Sequence, residues 1–189
     1  MSAVPSAFQL RLAAGVLLGG GVLACPTEAV FGLSCDPYDR AAVARLLALK
    51  QRPVEKGLIV VAAHVDQLGA LLAPLSPAQR RQLASGWPGP NTWLVPNHGC
   101  FPVWITGGSR LVAVRVTAHP PLRALCEAFG GPLVSTSANP GGHPPARTAL
   151  GVRLRFGGRI DGIVPGDTGG ARNPTAIRDL ETGRTVRPS

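Results

Sequence analysis

Lys50-Gln51-Arg52-Pro53-Val54-Glu55-Lys56 runs straight into Gly57-Leu58-Ile59-Val60-Val61-Ala62, and the reading of this stretch decides the fold. Its second half is apolar throughout, the mark of a central strand covered on both faces. Its first half holds three cations within seven residues, and it contains both lysines of a chain that has seventeen arginines. Arg offers a rigid planar fork and Lys a compact, mobile charge, so the two are not interchangeable at an oxyanion site. Three close cations repel one another, and a polyanion among them relieves that repulsion. The alternative is a solvated loop after a helix, with Lys50 placed for the helix dipole.

Working outward, Asp39 reads as the N-cap of a helix over 40–49 that delivers the chain to Lys50. Pro5 to Leu18 spaces Phe8, Leu10, Leu12, Ala13, Val16 and Leu17 as an amphipathic helix, ended by Gly19-Gly20-Gly21. Val22-Leu23-Ala24-Cys25 is a short buried strand. Downstream, 66–72 and 76–85 read as helices, the second with Ser76 as N-cap and Pro77 at N1. Strands follow at 92–95, 111–116, 132–135, 160–164, 175–178 and 185–187, the last two joined at Glu181-Thr182-Gly183. Helices follow at 120–129 and 146–156. Residues 96–109 are polar, Gly-rich and hard to place, and a mobile flap is one reading left open there. Strands alternating with helices give an α/β sheet of mixed direction. With no repeat and no linker-like shift in composition, residues 1–189 read as one domain.

Composition narrows the partners. Nineteen Lys and Arg against ten Asp and Glu give a formal charge of +9, which points to nucleotides, RNA or another acidic partner. Cys25, Cys35, Cys100 and Cys126 form no CxxC pair and no zinc spacing, so no metal site is expected and the thiols read as reduced. No apolar run approaches the ~20 residues that span a bilayer, and no signal-peptide order appears. A cytoplasmic protein without membrane attachment is the expectation.

Four places bring polar groups to a strand end, where α/β folds seat their ligands. They are Cys25-Pro26-Thr27-Glu28, the basic stretch, Arg115, and Ser135-Thr136-Ser137-Ala138-Asn139-Pro140-Gly141-Gly142. Arg115 lies in an apolar strand and needs an anionic partner, since burying it unpaired is very costly. That partner is a substrate carboxylate or, equally, a carboxylate of the chain. The Ser/Asn/Gly run could turn its backbone N–H groups on an oxyanion, or be an ordinary turn. There is no GxxxxGK[ST], no GxSxG and no HExxH, and Gly19–Gly21 precedes a strand, the wrong context for a dinucleotide loop. The residues alone lead to an α/β protein that binds an anion such as a nucleotide.

Read together, these segments resemble the YrdC-like (TsaC) family of threonylcarbamoyl-AMP synthases, in its short bacterial form. Pro26-Thr27-Glu28-Ala29-Val30-Phe31-Gly32-Leu33 is similar to the family's entry motif, Lys50-Gln51-Arg52 to its K-x-R element and Ser137-Ala138-Asn139 to its S-x-N element. Trp87-Pro88-Gly89-Pro90, Ala113-Val114-Arg115-Val116 and Asn173-Pro174-Thr175-Ala176-Ile177-Arg178-Asp179 follow in the family's order. The likeness covers about residues 8–188.

The resemblance implies a twisted mixed sheet curled around a concave, positively charged cavity. It implies that L-threonine, bicarbonate and ATP give L-threonylcarbamoyl-AMP and pyrophosphate, with magnesium arriving on ATP. A tRNA threonylcarbamoyltransferase complex would then carry the group to adenosine 37 of tRNA, and direct tRNA binding is compatible with the charge. Lys50, Arg52, Ser137 and Asn139 are the implied catalytic residues, joined by Lys56 and Arg187 for ATP. Thr27, Arg115, Ser135 and Thr175 are implied for L-threonine. Three positions depart from the pattern: Val61 where longer members carry a His, Gly141 where Ser is common, and Asn91 where an apolar residue is usual. A rival from another class is an RNA-binding module using the same basic surface. It has no need of a cation in a buried strand, and it would offer aromatic platforms that this chain, at 5% aromatics, lacks. A carbamoyl-phosphate-handling hydrolase is a third reading, set apart by phosphate release without threonine.

Overall fold

The computed structural model describes residues 4–188. Helix α1 (Ala7–Leu18) precedes a hairpin of β1 (Leu23–Pro26) and β2 (Phe31–Ser34). Helix α2 (Arg40–Lys50) and a 3-10 turn at Val54–Lys56 lead into β3 (Ile59–Ala62). Then come α3 (Gly69–Leu72), α4 (Pro77–Ala84), β4 (Asn91–Pro96), α5 (Val103–Thr106) and β5 (Leu111–Val116). The chain continues through α6 (Pro120–Phe129), β6 (Leu133–Ser137), α7 (Ala149–Phe156), β7 (Gly162–Ile163), β8 (Ala176–Asp179) and β9 (Thr185–Arg187). The strands form one sheet in the order β7-β1-β2-β6-β3-β5-β4-β8-β9. Its pairings are mixed: β1–β7, β3–β5 and β4–β8 are parallel, and the others antiparallel. The apolar run after the basic stretch is therefore the middle strand, as its composition predicts.

Local chemistry sets the helix starts. Ser6 with Gln9, and Ser76 with Gln79, form reciprocal capping boxes at α1 and α4. The Asp39 carboxylate accepts from the amides of Ala41 and Ala42, satisfying two of the free N–H groups at the start of α2. We expect Asp39→Ala to lower the unfolding free energy by about 1 kcal/mol. The urea midpoint reads this directly, and an unchanged midpoint would show the cap to be redundant.

One strand goes unread in the sequence, one helix face is corrected, and one open segment is placed. The segment Phe31-Gly32-Leu33-Ser34 pairs with both β1 and β6 as a full interior strand. In α1 Ala14 and Leu17 are buried, with Leu10, Ala13 and Val16 partly buried beside them on the side that packs on α6, while Phe8 and Leu12 are exposed. The face toward the neighbour is therefore shifted from the predicted stripe, taking in Ala14 and leaving out Phe8 and Leu12. Residues 96–109 are anchored: Phe101 and Ile105 are buried, and the Ile105 carbonyl accepts from Leu58 N at 2.9 Å. That segment is a wall of the molecule.

The two faces of the sheet do different work, and strand alternation assigns them. Val60, Ala62, Val112, Val114, Val116 and Val134 point into the larger core, with Phe31, Leu33 and Trp93. On the opposite face, Cys25, Val61 and Leu133 lie under α1 and α6, packed against Leu122, Leu125 and Cys126. Farther along that same face, Gly32, Ile59, Ala113, Arg115 and Ser135 are left uncovered by helix and line a cavity. The strand read as apolar on both faces thus has Val61 under a helix and Ile59 at the cavity.

Candidate functional site

The cavity has a volume of about 370 Å³. It takes in eight of the residues singled out from the sequence: Thr27, Arg52, Lys56, Arg115, Ser135, Ser137, Thr175 and Arg187. Lys50 and Asn139 are not among its lining residues. Four cationic side chains face two acidic ones, Glu28 and Glu55, across it. The Arg187 guanidinium is lowered from its ordinary value, first by desolvation at the cavity wall and then by Arg52 and Arg115. Three guanidiniums therefore feel one another across one space, as they would where an anion is to be received.

The basic stretch is folded so that its cations differ in role. Arg52 turns back on its own loop, donating to the carbonyls of Lys56 at 3.0 Å and Gly57 at 2.9 and 3.1 Å. Gly57 has φ 57°, and a Cβ there would meet the carbonyls of Ile105 and Thr106 at 3.2 Å. Only glycine fits that turn without strain. Lys50, at the end of α2, is buried and does not line the cavity. Its Nζ donates to the carbonyls of Ser137 and Asn139 and lies 3.4 Å from Asn139 Oδ1. The Lys50 carbonyl in turn accepts from Gly141 N at 2.8 Å. Burial, followed by the charge of Arg52, lowers the Lys50 ammonium to about 8. Asn139 spends its amide on the Pro140 and His143 carbonyls. Lys50 and Asn139 thus build the loop that presents Ser137. The Lys56 ammonium is exposed at the rim and has no hydrogen-bond partner among the described residues.

On the floor, Arg115 is ion-paired with Glu28; the Arg115 side chain is buried and that of Glu28 largely so, 13% exposed. The other Glu28 oxygen accepts from Thr117 Oγ1 at 2.7 Å. Burial alone would raise the Glu28 carboxyl; Arg115 and Thr117 outweigh it and hold it below the usual carboxylate range. The intramolecular partner left open by the sequence is therefore present. Arg115 still lines the cavity, and its buried Nε has no partner among the described residues. Thr27 donates its hydroxyl hydrogen to the Val30 carbonyl at 2.8 Å, so only its lone pairs face outward. Gly32 is the floor beneath them: a Cβ would approach Thr136 O at 3.2 Å and Thr27 Cγ2 at 3.3 Å. Thr175 contacts Thr92 Oγ1 at 2.9 Å through its hydroxyl, and its carbonyl accepts from Arg187 at 2.8 Å.

Sequence reasoning missed Thr92, Thr117 and Gly32. Thr92 and Thr117 carry ordinary strand residues' signals, and only the tertiary pairing brings them against the cavity residues Thr175 and Glu28. The departures at Val61, Asn91 and Gly141 are readily accommodated. Val61 lies under α6, clear of the cavity lining. Asn91 closes the Trp87–Asn91 turn, donating to Gly86 O at 3.2 Å and accepting from Trp87 Nε1 at 2.8 Å. Gly141 meets nothing closer than 3.5 Å, so its lack of a side chain is no steric necessity. Burial raises the thiols of Cys25, Cys35 and Cys126, which leaves them inert as nucleophiles.

Comparison with known proteins joins this geometry to a family. The model for Sua5, YciO and YrdC proteins, described as "Telomere recombination", matches residues 15–189. A Pseudomonas aeruginosa protein named Threonylcarbamoyl-AMP synthase is 56% identical over 184 residues, covering 97% of this chain and 99% of that one. A protein of the same name from Cellvibrio japonicus is 55% identical over 181 residues, 96% of each chain. The crystal structure of P. abyssi Sua5 complexed with L-threonine matches at 34% identity with a TM-score of 0.85 over 94% of this chain. The chain spans about half the length of that P. abyssi protein, 52% of it. The E. coli YciO structure, at 24% identity and a TM-score of 0.83, shares the fold. From the family match over nearly its whole length, and from relatives more than half identical to it, this chain belongs to the Sua5/YciO/YrdC family.

Proposed function

We propose that the chain is an L-threonylcarbamoyl-AMP synthase, converting L-threonine, bicarbonate and ATP to L-threonylcarbamoyl-AMP and pyrophosphate. The observation that carries this is one cavity lined by Thr27, Arg115, Ser135 and Thr175 of the threonine set together with Arg52, Lys56, Ser137 and Arg187 of the ATP set. The names of relatives at 55–56% identity support it, as does the L-threonine complex of the P. abyssi protein.

In this reading threonine's amine and bicarbonate condense to a carbamate with loss of water. A carbamate oxygen then bonds to the α-phosphorus of ATP, the bond to the bridging oxygen breaks, and pyrophosphate leaves with that electron pair. Two anions must meet, and preorganised cations lower their repulsion most where charge builds up. Arg52, Lys56 and Arg187 serve the phosphates, with Ser137 at the adenylate end. Lys50 and Asn139 hold the Ser137 loop in place, and the Lys50 charge lies behind it. Arg115 takes the threonine carboxylate, its guanidinium pinned by Glu28, while Thr27, Ser135 and Thr175 line the amino-acid end.

Magnesium fits as a passenger of ATP: Glu28 is committed to Arg115 and Thr117, and Glu55 is exposed at the rim. It would be held by phosphate oxygens and water and would supply charge neutralisation there. The product passes to a tRNA threonylcarbamoyltransferase complex for transfer to adenosine 37, and the basic surface suits direct contact with tRNA. No helix among the described residues is long and apolar enough to cross a membrane, and ATP and tRNA make the cytoplasm the compartment we assign.

The test is pyrophosphate release from ATP by the purified protein, with and without L-threonine and bicarbonate. Release that requires both is the expected result. ATP binding without release would leave a nucleotide or RNA binder and remove the catalytic roles.

A further inference from the structure

The hydroxyl of Thr92 is wholly buried on β4, facing the same side of the sheet as Leu94 at the cavity. Among the described residues it has one hydrogen-bonding partner, Thr175 Oγ1 at 2.9 Å. Two hydroxyls in contact have two possible polarities, and burial chooses between them. A hydroxyl carries one hydrogen, and a buried donor left unsatisfied is costly. Thr92 has no other acceptor for its hydrogen, whereas Thr175 lies at the cavity, where a ligand or water can take one. Thr92 is therefore the donor and Thr175 the acceptor in this pair. It follows that the hydrogen of Thr175 is turned to the cavity.

We propose that Thr92 is a positioning residue that makes Thr175 a hydrogen-bond donor to an anionic oxygen of the amino-acid substrate. The opposite polarity at Thr27 supports the assignment. Thr27 has given its hydrogen to Val30 O, so it can only accept, as suits an amine or a hydroxyl group. The cavity therefore offers one hydroxyl fixed as acceptor and one fixed as donor, a match for a zwitterion. The Thr175 carbonyl is held by Arg187, so the same residue is fixed at its backbone as well as at its side chain. This inference rests on the reading of L-threonine as substrate.

The experiment is calorimetric binding of L-threonine without ATP, so that turnover is not needed, alongside the KM values for threonine and ATP. Thr92→Val is expected to weaken threonine binding about tenfold, the scale of one buried hydrogen bond, and to leave the KM for ATP unchanged. Thr92→Ser keeps the donor and is expected to bind as the wild type does. In a Thr175→Val background, Thr92→Val should add nothing, because its effect passes through that hydroxyl. Wild-type threonine affinity in Thr92→Val, or an equal further loss in the Thr175→Val background, would overturn the proposal while leaving the enzyme reading intact. A wild-type protein that binds no threonine would overturn both. One that binds threonine but releases no pyrophosphate would overturn the reaction alone.

Discussion

Lys50→Ala is expected to cut turnover by about 10²–10³-fold, the effect of losing one preorganised transition-state donor, here by way of the Ser137 loop that the ammonium holds in place. The structure shows why this change should exceed that of a surface lysine. The ammonium is the clasp between the end of α2 and the Ser137–Asn139 loop, and its removal leaves two carbonyls and an amide oxygen without their donor. Ser137 would lose its fixed place as the charge is lost. The pH dependence carries a second signature. With the Lys50 ammonium lowered to about 8 by burial and Arg52, the charged form falls away above that pH in the free enzyme. The kcat/KM for ATP, which reports free-enzyme ionisations, should therefore decline above about pH 8. Near-normal turnover in Lys50→Ala would take this residue out of the mechanism.

Arg115→Ala should have two separable consequences. Losing one partner of a buried ion pair leaves Glu28 charged and underpaired, at a cost of about 3–5 kcal/mol in stability. The KM for threonine should rise far more than that for ATP, and equal effects on the two would end the carboxylate assignment. A double variant, Glu28→Leu with Arg115→Met, separates the effects. Replacing both partners by apolar groups should recover most of the stability, since the desolvation cost of both charges disappears. Threonine affinity should stay lost. The acid limb of wild-type stability gives a check on sign. Glu28 is held below its unfolded value, so its contribution is complete above the ordinary carboxylate pKa near 4.5 and is lost as pH falls through the lower folded value. The double variant should lack that part of the acid decline.

The sequence was most informative where one residue type in one place carried the message. The alternation of strands and helices, the caps at Ser76 and Asp39, and the middle position of Ile59–Ala62 could all be read from local pattern. β2 could not: a four-residue segment with Gly32 at its second position has no alternation long enough to register, and it was visible only as part of a motif. α1 shows the limit of periodicity, which finds the helix but not its rotation, because rotation depends on what α6 presents. At the site, residue type pointed to Lys50 and Arg115, yet their partners lie 87 residues away in each case. The pairing of Arg115 with Glu28 could be posed as an alternative and no further. Thr92 gave no signal at all, since a Thr in a strand is ordinary and its importance comes from the register of β4 with β8.

The division of one sheet face between helix cover and cavity bears on how such a protein can change over time. Along β5, Ala113 and Arg115 touch the cavity while Val112 and Val114 touch the core, and along β6 Ser135 and Val134 divide the same way. Neighbouring codons therefore answer to different selective pressures. Substitutions at one parity reshape the ligand space without disturbing the packing beneath, and those at the other repack the core without altering what is bound. At Ala113 and Ser135 a lineage, or a designer, can retune substrate size without repacking the core, whereas Arg115, tied to Glu28, and Gly32, with no room for a side chain, demand a compensating change first.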